Sequence, residues 1–438
     1  MKYSLQTSFA RRTLLLLATV FMLTVVGRLV TLTGATFFCD GWPLCIPSQP
    51  IGYLKLLHLM MVGMALIVMA SVWRMAWREQ RHHPTLLPLT TVTGVLFFGQ
   101  SLVGALSTTD AYTLHLVVLH TLTAVALWIS LAMLVVVSGM LKEDGVADYQ
   151  GTFGQRVKDF FILSKPIIVL LLLVTTYGGL VAGGKAWPSA SLTFWTLFGG
   201  GLAAAGSSAL NQYIDRELDK NMQRTSKRPL ADGRLTPAEG LSYGLALCLL
   251  SYYIMAGYVN FLAALLSLTG IFYYVFFYSV WLKKATVQNI VIGGGAGAIP
   301  PMVGWAAATG ELTLAAWILF AIIFMWTPPH FWALAIVRMK DYEKAGVPML
   351  PVVEGEEKTR RQILIYTIEL IAVTMLLPIF NLAGTIYLVS AIVLGAFLFY
   401  AAWRVFWVGG NKVAWMMYRW SSMYLAFIFL ALILDSVL

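Results

Sequence analysis

Residues 211–234 read NQYIDRELDKNMQRTSKRPLADGR, a polar and charged segment that interrupts long apolar runs on both sides. Asn211, Asp215 and Asp219 recur every four residues, and this spacing places three oxygen-bearing side chains in one column along a helix. Mg²⁺ is typically held by one or two carboxylates together with the phosphates of a substrate. The segment therefore predicts an Mg²⁺ site formed by Asp215 and Asp219 that works with a diphosphate.

Basic residues follow the acidic column at once. Arg224, Lys227 and Arg228 carry donors that suit a diphosphate. An alternative is a solvated membrane loop whose basic residues obey the positive-inside rule. The regular spacing of the acidic residues favours the metal site over that alternative.

The composition identifies the class of protein. The chain has 438 residues, of which 59% are hydrophobic and 11% charged, and its apolar runs are long enough to cross a bilayer. The net charge of +10 lies in alternate loops and not in one patch, which indicates membrane orientation and argues against nucleic acid. The apolar run after Arg11 and Arg12 has no small-residue cleavage site, so we expect a first spanning helix there.

The apolar pattern predicts an all-α polytopic membrane protein with about 13 transmembrane helices. A polar break over residues 142–165 separates two halves. We expect a four-helix domain over 1–145, a cytoplasmic linker over 146–165 and a nine-helix domain over 166–438. The predicted helices lie near 13–33, 53–73, 88–107, 113–140, 167–183, 191–213, 239–257, 261–280, 288–308, 313–335, 363–381, 384–403 and 415–435.

Basic residues assign the two sides of the membrane. They fall in alternate loops, with Lys185 as the exception, and so predict a plasma-membrane protein with a cytoplasmic N-terminus and an outside C-terminus. The segment 211–234 and the second polar loop lie in the cytoplasm in this topology. Cys39 and Cys45 share one short outer loop and are the cysteine pair that proximity predicts as a disulfide.

The pattern N-x-x-x-D-x-x-x-D-x-x-M-x-R-T-x-x-R-P-L resembles the intramembrane prenyltransferases of the UbiA type, and within them the heme O synthases, or protoheme IX farnesyltransferases. Two later stretches resemble signatures of that branch. They are residues 288–310, QNIVIGGGAGAIPPMVGWAAATG, and residues 326–353, WTPPHFWALAIVRMKDYEKAGVPMLPVV. The resemblance covers residues 160–438. It implies that farnesyl diphosphate, heme B and water give heme O and diphosphate, with Mg²⁺ as cofactor.

The second polar loop begins at Asp341. Other UbiA-type enzymes carry two carboxylates here at four-residue spacing, whereas this chain has Ala345 in the second place. The resemblance therefore implies that the first Asp pair holds most of the metal and that the second loop supplies positive charge to the diphosphate. The predicted residues for that charge are Arg338, Lys340 and Lys344.

His330 lies in WTPPHFW, where Pro328 and Pro329 free backbone carbonyls. The resemblance makes His330 a candidate heme contact, or a base that positions the water. A structural histidine bonded to a freed carbonyl is the alternative. The glycines at 293–295 and 297 lack the Lys-Ser/Thr of a P-loop, so we expect them to allow close helix packing or to leave room for a flat porphyrin.

Residues 27 to about 128 resemble one four-helix half of the heme A synthases. The resemblance is carried by GRLVTLTGATFFCDGWPLC, by His58, and by VVLHTLTAVALW with His120. It implies heme binding by two histidines on facing helices, and two packed polar residues are the alternative. Three features differ from that family. Lys55 stands where the family has a Glu three residues before the second-helix His, and TLTGA stands where an Arg usually precedes the TG. The other half of the heme A synthase fold is missing. We therefore expect a degenerate heme-binding or handover module, with oxidative activity only if two copies assemble.

Two other functions remain open at this point. One is a UbiA-type enzyme for another acceptor, such as a quinone or chlorophyll precursor. The other is a non-catalytic heme carrier or assembly factor for a terminal oxidase. The presence of Asn211, Asp215 and Asp219 favours an enzyme, because a carrier does not need an Mg²⁺ site. The expected partners are farnesyl diphosphate, heme B and the lipid membrane, with heme A synthase or terminal oxidase assembly factors as candidate protein partners.

Overall fold

The structure is a computed structural model that describes residues 7–40, 45–106, 114–139, 151–223 and 225–438. The chain divides into two compact units. The first comprises residues 1–150 and 236–249, and the second comprises residues 151–235 and 250–438. The segment 236–249 therefore groups with the N-terminal part, although the sequence pattern assigns it to the second half.

Four long helices form the body of the first unit: α1 (Ser8–Thr33), α2 (Tyr53–Glu79), α3 (Leu86–Leu106) and α4 (Leu114–Ser138). Helix α1 packs on α2 and α4, and α3 packs on the same two helices. This is the predicted four-helix bundle. The loop after α1 contains two short antiparallel strands, β1 (Cys39–Asp40) and β2 (Ile46–Pro47).

A buried ion pair lies within the first unit. Arg81 and Glu239 are 4% and 0% exposed, and Nη2 of Arg81 lies 3.1 Å from Oε2 of Glu239. Thr236 donates its hydroxyl to the carbonyl of Arg81 and accepts from the backbone N–H of Glu239. These contacts join the segment after α2 to residues 236–249.

The predicted linker contains a helix that the apolar pattern does not indicate. Helix α5 (Phe153–Leu163) begins at a capping box between Thr152 and Gln155. Gln212 donates its side-chain amide to the carbonyl of Leu163 at 2.9 Å. Helix α5 is thereby attached to the helix that carries the acidic column.

The remaining helices follow in chain order. They are α6 (Pro166–Gly184), α7 (Ala190–Lys220), α8 (Pro237–Tyr258), α9 (Phe261–Phe272), which continues as a π-helical turn over Tyr273–Leu282, α10 (Lys283–Ala285), α11 (Asn289–Gly293), α12 (Gly295–Thr309), α13 (Leu314–Val337), α14 (Met339–Lys344), α15 (Leu350–Val353), α16 (Gly355–Thr374), α17 (Leu376–Ile379), α18 (Thr385–Val408) and α19 (Asn411–Val437).

Twelve helical segments within the described ranges are long and apolar enough to cross a membrane. The all-α, multi-pass prediction is confirmed, and the thirteenth predicted span corresponds to α7. Helix α7 is 31 residues long, but its middle is rich in Gly, Ala and Ser and its end is charged, so it is less apolar than the other twelve.

Helices α6 and α12 approach each other closely in the second unit. A Cβ on Gly179 would lie 2.1 Å from the carbonyl oxygen of Pro301, and a Cβ on Gly304 would lie 1.9 Å from that of Thr176. Any larger residue at either glycine would clash with a backbone. Small residues at helix contacts are how membrane helices pack closely.

Candidate functional site

The acidic column lies on the buried face of α7. Asn211, Asp215 and Asp219 are 4%, 3% and 3% exposed. Helix α7 continues past residue 213, where the apolar pattern ends, to Lys220. All three side chains therefore belong to one helix.

Asp215 receives two hydrogen bonds on the same oxygen. Its Oδ2 lies 2.5 Å from Nζ of Lys283 and 2.8 Å from Nδ2 of Asn211. Nζ of Lys165 in turn donates to Oδ1 of Asn211 at 2.8 Å. Two lysines from other parts of the chain thus contact the column, and neither was predicted as a site residue.

Lys165 adopts a rare backbone conformation. Its φ of 48° and ψ of 61° are left-handed, a region that non-glycine residues seldom occupy, and it immediately precedes Pro166. Such strain costs about 1–3 kcal/mol and often occurs at functional sites. Burial, together with the positive charges of Arg228 and Lys283, lowers the pKa of Lys165 to about 7. The pair Lys165–Pro166 was the feature of the sequence that could have indicated this unusual residue.

Asp219 is bound by the loop that follows α7. Nη1 of Arg228 lies 2.7 Å from Oδ2 of Asp219, and the hydroxyl of Thr225 donates to the Asp219 carbonyl at 3.1 Å. Arg228 was predicted as a diphosphate contact, and it is brought to the column. Lys227 is exposed on the same loop, and Arg224 lies outside the described residues.

The π-helical turn at Tyr273–Leu282 faces the column. The hydroxyl of Ser279 donates to the carbonyl of Tyr274 at 2.9 Å and accepts from Nδ2 of Asn211 at 3.0 Å. Ser279 and Lys283 are four residues apart, so they lie on one face. π-helical geometry inside an α-helix often marks a functional site. Here the turn presents a hydroxyl and an ammonium to the same helix.

The second polar loop is more exposed than the column. Nη1 of Arg338 lies 3.8 Å from Oδ2 of Asp341, and the side chains are 46% and 25% exposed. Lys340 and Lys344 are also exposed. The pair between Arg338 and Asp341 is therefore a solvent-screened contact of little energetic weight.

Asn289 connects the two polar regions. It is 1% exposed, and its Nδ2 lies 3.4 Å from the carbonyl of Lys283 and 3.4 Å from that of Pro348. One amide thus contacts both the segment that bears Lys283 and the loop that follows Asp341.

His330 is buried between aromatic rings. Its ring stacks on Trp326 and on Tyr418, with centroid distances of 4.2 Å and 4.5 Å. Its Nδ1 lies 2.8 Å from the hydroxyl of Ser421 on α19. The partner is thus a side chain, and not a carbonyl freed by Pro328 or Pro329.

The chain is similar to known proteins. A model described as the UbiA prenyltransferase family matches residues 172–430, more than half of the chain. The chain belongs to the UbiA prenyltransferase family. A relative named protoheme IX farnesyltransferase, from Roseiflexus sp. strain RS-1, is 38% identical over 99% of this chain and 84% of its own length. The predicted resemblance to this branch of the UbiA family is confirmed.

A solved structure shares the fold. A structure described as digeranylgeranylglyceryl phosphate synthase superposes with a TM-score of 0.56 and 16% identity over 65% of this chain and 99% of its own. A UbiA homolog from Archaeoglobus fulgidus, bound to GPP and Mg²⁺, gives a TM-score of 0.48 and 18% identity over 63% of this chain and 99% of its own. At 16% identity, the first of these structures shares only the fold with this chain.

The donors of the column suit Mg²⁺. In the part of the chain that the structure describes, no three His, Cys, Asp or Glu side chains form a cluster that could hold a metal by themselves. Two carboxylates and an amide oxygen lie along α7 instead. Mg²⁺ needs only one or two carboxylates when substrate phosphates supply further oxygens. The residues of this UbiA-family chain fit that requirement.

At three positions, the glycine-rich stretch of the UbiA-family domain allows close packing of neighbouring side chains. A Cβ on Gly293 would lie 2.3 Å from the ring of Tyr278, and a Cβ on Gly294 would lie 2.8 Å from Thr327. A Cβ on Gly295 would lie 3.1 Å from the Tyr273 ring. Gly297 differs, because a Cβ there would meet no atom within 4 Å.

The two predicted heme ligands lie in the first unit. Nδ1 of His58 and Nδ1 of His120 are both buried without a hydrogen-bond partner among the described residues. Nε2 of His120 lies 2.9 Å from Nε2 of Gln100.

Each histidine ring packs against a glycine of the neighbouring helix. A Cβ on Gly27 of α1 would lie 2.8 Å from Cε1 of His58, and a Cβ on Gly104 of α3 would lie 3.1 Å from Cε1 of His120. A side chain at Gly27 or Gly104 would therefore fill the space beside the histidine ring.

Cys45 is disulfide-bonded, and Cys248 is a buried free thiol. The backbone of Cys39 pairs with Pro47 across the two short strands. The pairing of Cys45 with Cys39 stays a prediction.

Proposed function

We propose that the chain transfers the farnesyl group of farnesyl diphosphate to a vinyl group of heme B, with addition of water, to give heme O and diphosphate. The name of the Roseiflexus relative supports this acceptor over a quinone or chlorophyll precursor. The observation that carries the proposal is the set of cations around the buried acidic column, which a non-catalytic heme carrier would not need.

The charges at the column favour an anionic substrate. Asp215 and Asp219 contribute two negative charges, whereas the side chains of Lys165, Lys283 and Arg228 contribute up to three positive ones. Unpaired charge is costly in a buried site. A diphosphate would balance the excess, and it would also favour the protonated form of Lys165.

We propose Asp215 and Asp219 as the Mg²⁺ ligands, with the amide oxygen of Asn211 beside them. When bound, Mg²⁺ supplies positive charge to the oxygens of the diphosphate leaving group. Arg224, Lys227, Arg338, Lys340 and Lys344 stay predicted diphosphate contacts, and Asp341 stays a predicted secondary acidic residue.

The first chemical step breaks the allylic C–O bond, and the diphosphate leaves with the bonding electron pair. Lys283, Arg228 and Lys165 stabilise the negative charge that develops on the leaving oxygens. The vinyl group of heme B then attacks the farnesyl cation and forms the new C–C bond. Water adds to the resulting cation and loses a proton, which leaves a hydroxyl. The apolar surroundings of the spanning helices limit earlier capture by water.

Pigment extraction tests this reaction. Heme B, heme O and heme A separate by hydrophobicity, so extracts of cells that express the chain should contain heme O that control cells lack. Extracts with heme B alone, from cells with the protein in the membrane, would contradict the proposal. A farnesylated quinone in such extracts would favour the other acceptor class.

We also propose the plasma membrane as the location, with the N-terminus and both polar loops in the cytoplasm and the C-terminus outside. The alternation of basic loops supports this topology. Cysteine substitutions at Lys227 and Lys344, probed with a membrane-impermeant thiol reagent in intact cells, test it. Labelling only after the membrane is permeabilised is expected, and labelling of intact cells would contradict it.

A second proposed function is heme binding by the N-terminal domain through His58 and His120. The two unpartnered Nδ1 atoms and the glycine contacts at both rings support it. A heme held there would serve delivery or handover, so heme A synthase and terminal oxidase assembly factors are the candidate partners. The test is the absorption spectrum of the purified protein, in which a low-spin bis-histidine signature should weaken in His58→Ala and in His120→Ala.

A further inference from the structure

Helix α5 carries an exposed apolar stripe. Phe153, Val157 and Phe161 are 85%, 51% and 59% exposed, and they follow one another at intervals of four residues. Because a helix turns about 100° per residue, each of these side chains is rotated only about 40° from the one before. The three therefore form one stripe along the length of the helix. A contiguous apolar surface of this kind indicates a binding surface for a partner or a membrane.

The rest of α5 divides into a protein side and a polar side. Asp159 and Leu163 are 2% and 0% exposed, so this side packs against the rest of the second unit. Lys158 and Gln155 are exposed, and the turn of the helix places them about 100° and 160° from Val157, on the other side of the stripe. An apolar side, a polar side and a protein side between them suit a helix that lies in the surface of a membrane.

The chain enters a spanning helix directly after α5. Only Ser164 and Lys165 separate α5 from Pro166, the first residue of the span Pro166–Gly184. Three residue steps reach at most about 11 Å, so α5 ends close to the membrane boundary. The left-handed φ of 48° at Lys165 interrupts the helical geometry, so α5 does not continue the axis of α6 into water.

Helix α5 is also too short to cross the membrane itself. Its 11 residues extend about 17 Å, whereas the hydrocarbon core of a bilayer is about 30 Å thick. Its first turn is stabilised by the capping box of Thr152 and Gln155, so it is a complete helix with its own N-terminus. The membrane surface is the location that satisfies its length, its position in the chain and its apolar stripe together.

The protein side of α5 contacts the candidate site. The side-chain amide of Gln212 on α7 donates to the carbonyl of Leu163 at 2.9 Å. Asp159 forms an ion pair with Arg234, and Nη2 of Arg234 donates to the carbonyl of Lys227 at 2.9 Å. Helix α5 therefore contacts both the helix of the acidic column and the loop that follows it.

We propose that α5 is an interfacial helix that lies in the surface of the bilayer at the end of α7 that carries the acidic column. Phe153, Val157 and Phe161 bind the boundary between the acyl chains and the headgroups of the lipid, and Lys158 faces the lipid phosphates and water. The lipid surface thereby supports α5, which in turn supports α7 and its loop. The inference goes beyond the proposed function and does not depend on the acceptor.

The test uses the full-length chain with Cys248→Ala in nanodiscs of phosphatidylcholine and phosphatidylglycerol. A nitroxide is attached to the cysteine of Val157→Cys or of Phe161→Cys. Electron paramagnetic resonance then measures collisions with oxygen, which concentrates in lipid, and with a nickel chelate, which stays in water. We expect collisions with oxygen to dominate at both positions. The same chain without the added cysteine gives the background signal.

Lys158→Cys is the matched control. It lies next to Val157 and is also exposed, but it belongs to the polar side of α5. Its nitroxide should collide mainly with the nickel chelate, so the preferred reagent should reverse between two neighbouring residues. Dominance of the nickel chelate at all three positions would place α5 in water. Few collisions with either reagent at Val157 and Phe161 would indicate a protein contact, and either result would overturn the inference.

Photolabelling of the unsubstituted chain provides a second measurement, because it does not depend on how the cysteine variants fold. A phosphatidylcholine with a diazirine near the headgroup end of one acyl chain is included in the nanodiscs. We expect adducts in residues 159–165, the tryptic peptide that contains Phe161, and none in residues 228–234 of the loop after α7. A chain without adducts in residues 159–165 would contradict the lipid contact.

Discussion

Nζ of Lys283 lies 2.5 Å from Oδ2 of Asp215, and the two side chains are 16% and 3% exposed. The lysine follows the π-helical turn, and the aspartate belongs to the acidic column of α7. Asp215 is also a proposed Mg²⁺ ligand. Lys283 and Mg²⁺ therefore compete for one carboxylate, and a diphosphate that binds Lys283 would relieve that competition.

Lys283→Met should change metal and diphosphate binding in opposite directions. Without the ammonium group, Asp215 is freer for a cation, so Mn²⁺ alone should bind more tightly. The diphosphate loses a charged hydrogen bond worth about 1.5–3 kcal/mol, so farnesyl diphosphate should bind roughly 10–100-fold more weakly. Electron paramagnetic resonance of Mn²⁺ and competition with inorganic diphosphate measure the two effects.

Lys220→Met is the matched control, because Lys220 is exposed on α7 and binds Glu217 at 2.8 Å. It removes the same charge from the surface and should alter neither affinity. If Mn²⁺ binds Lys283→Met no better than wild type, Lys283 does not compete with the metal.

Gly304→Ala should destabilise the second unit. The added Cβ would lie 1.9 Å from the carbonyl oxygen of Thr176, so α6 and α12 must separate. Overpacking of this kind costs about 1–3 kcal/mol, and a lower midpoint of thermal unfolding in detergent is expected. Gly297→Ala in the same helix meets no atom within 4 Å and should not lower it. Equal midpoints for the two variants would contradict the described helix contact.

Gly27→Ala should weaken heme binding in the N-terminal domain. Its Cβ would lie 2.8 Å from Cε1 of His58 and would push the ring aside. The low-spin heme signal per protein should fall, as measured by absorption spectroscopy of the purified full chain. Gly63→Ala, on the same helix as His58 but with no atom within 4 Å of its Cβ, is the control. An equal signal in both variants would argue for a packing role of His58.

The sequence predicted the positions of the long helices well, because membrane spans are defined by local hydrophobicity. It ended α7 near residue 213, whereas the helix continues to Lys220. The last turns are polar, and they are stabilised by Lys283 and Arg228, which contact Asp215 and Asp219 from elsewhere in the chain. A hydrophobicity pattern carries no information about such partners.

The candidate site was predicted only in part, because some of its features are local in the sequence and others depend on residues far apart in the chain. Four-residue spacing is a local property of a helix, so Asn211, Asp215 and Asp219 were recognisable as one column. Lys283 was counted only as a loop charge, since its role depends on the π-helical turn before it. The contact of Ser421 with His330 spans 91 positions and leaves no periodic signal in the sequence.

The most direct test of the account is the heme O content of cells that express Asp215→Asn or Asp219→Asn. Each substitution keeps the shape of the side chain and removes the charge that would hold Mg²⁺. We predict that both proteins reach the membrane at wild-type levels and that heme O falls by at least about a hundredfold, roughly 2.7 kcal/mol in the barrier. Wild-type amounts of heme O in either variant would contradict the assignment of the acidic column as the metal site.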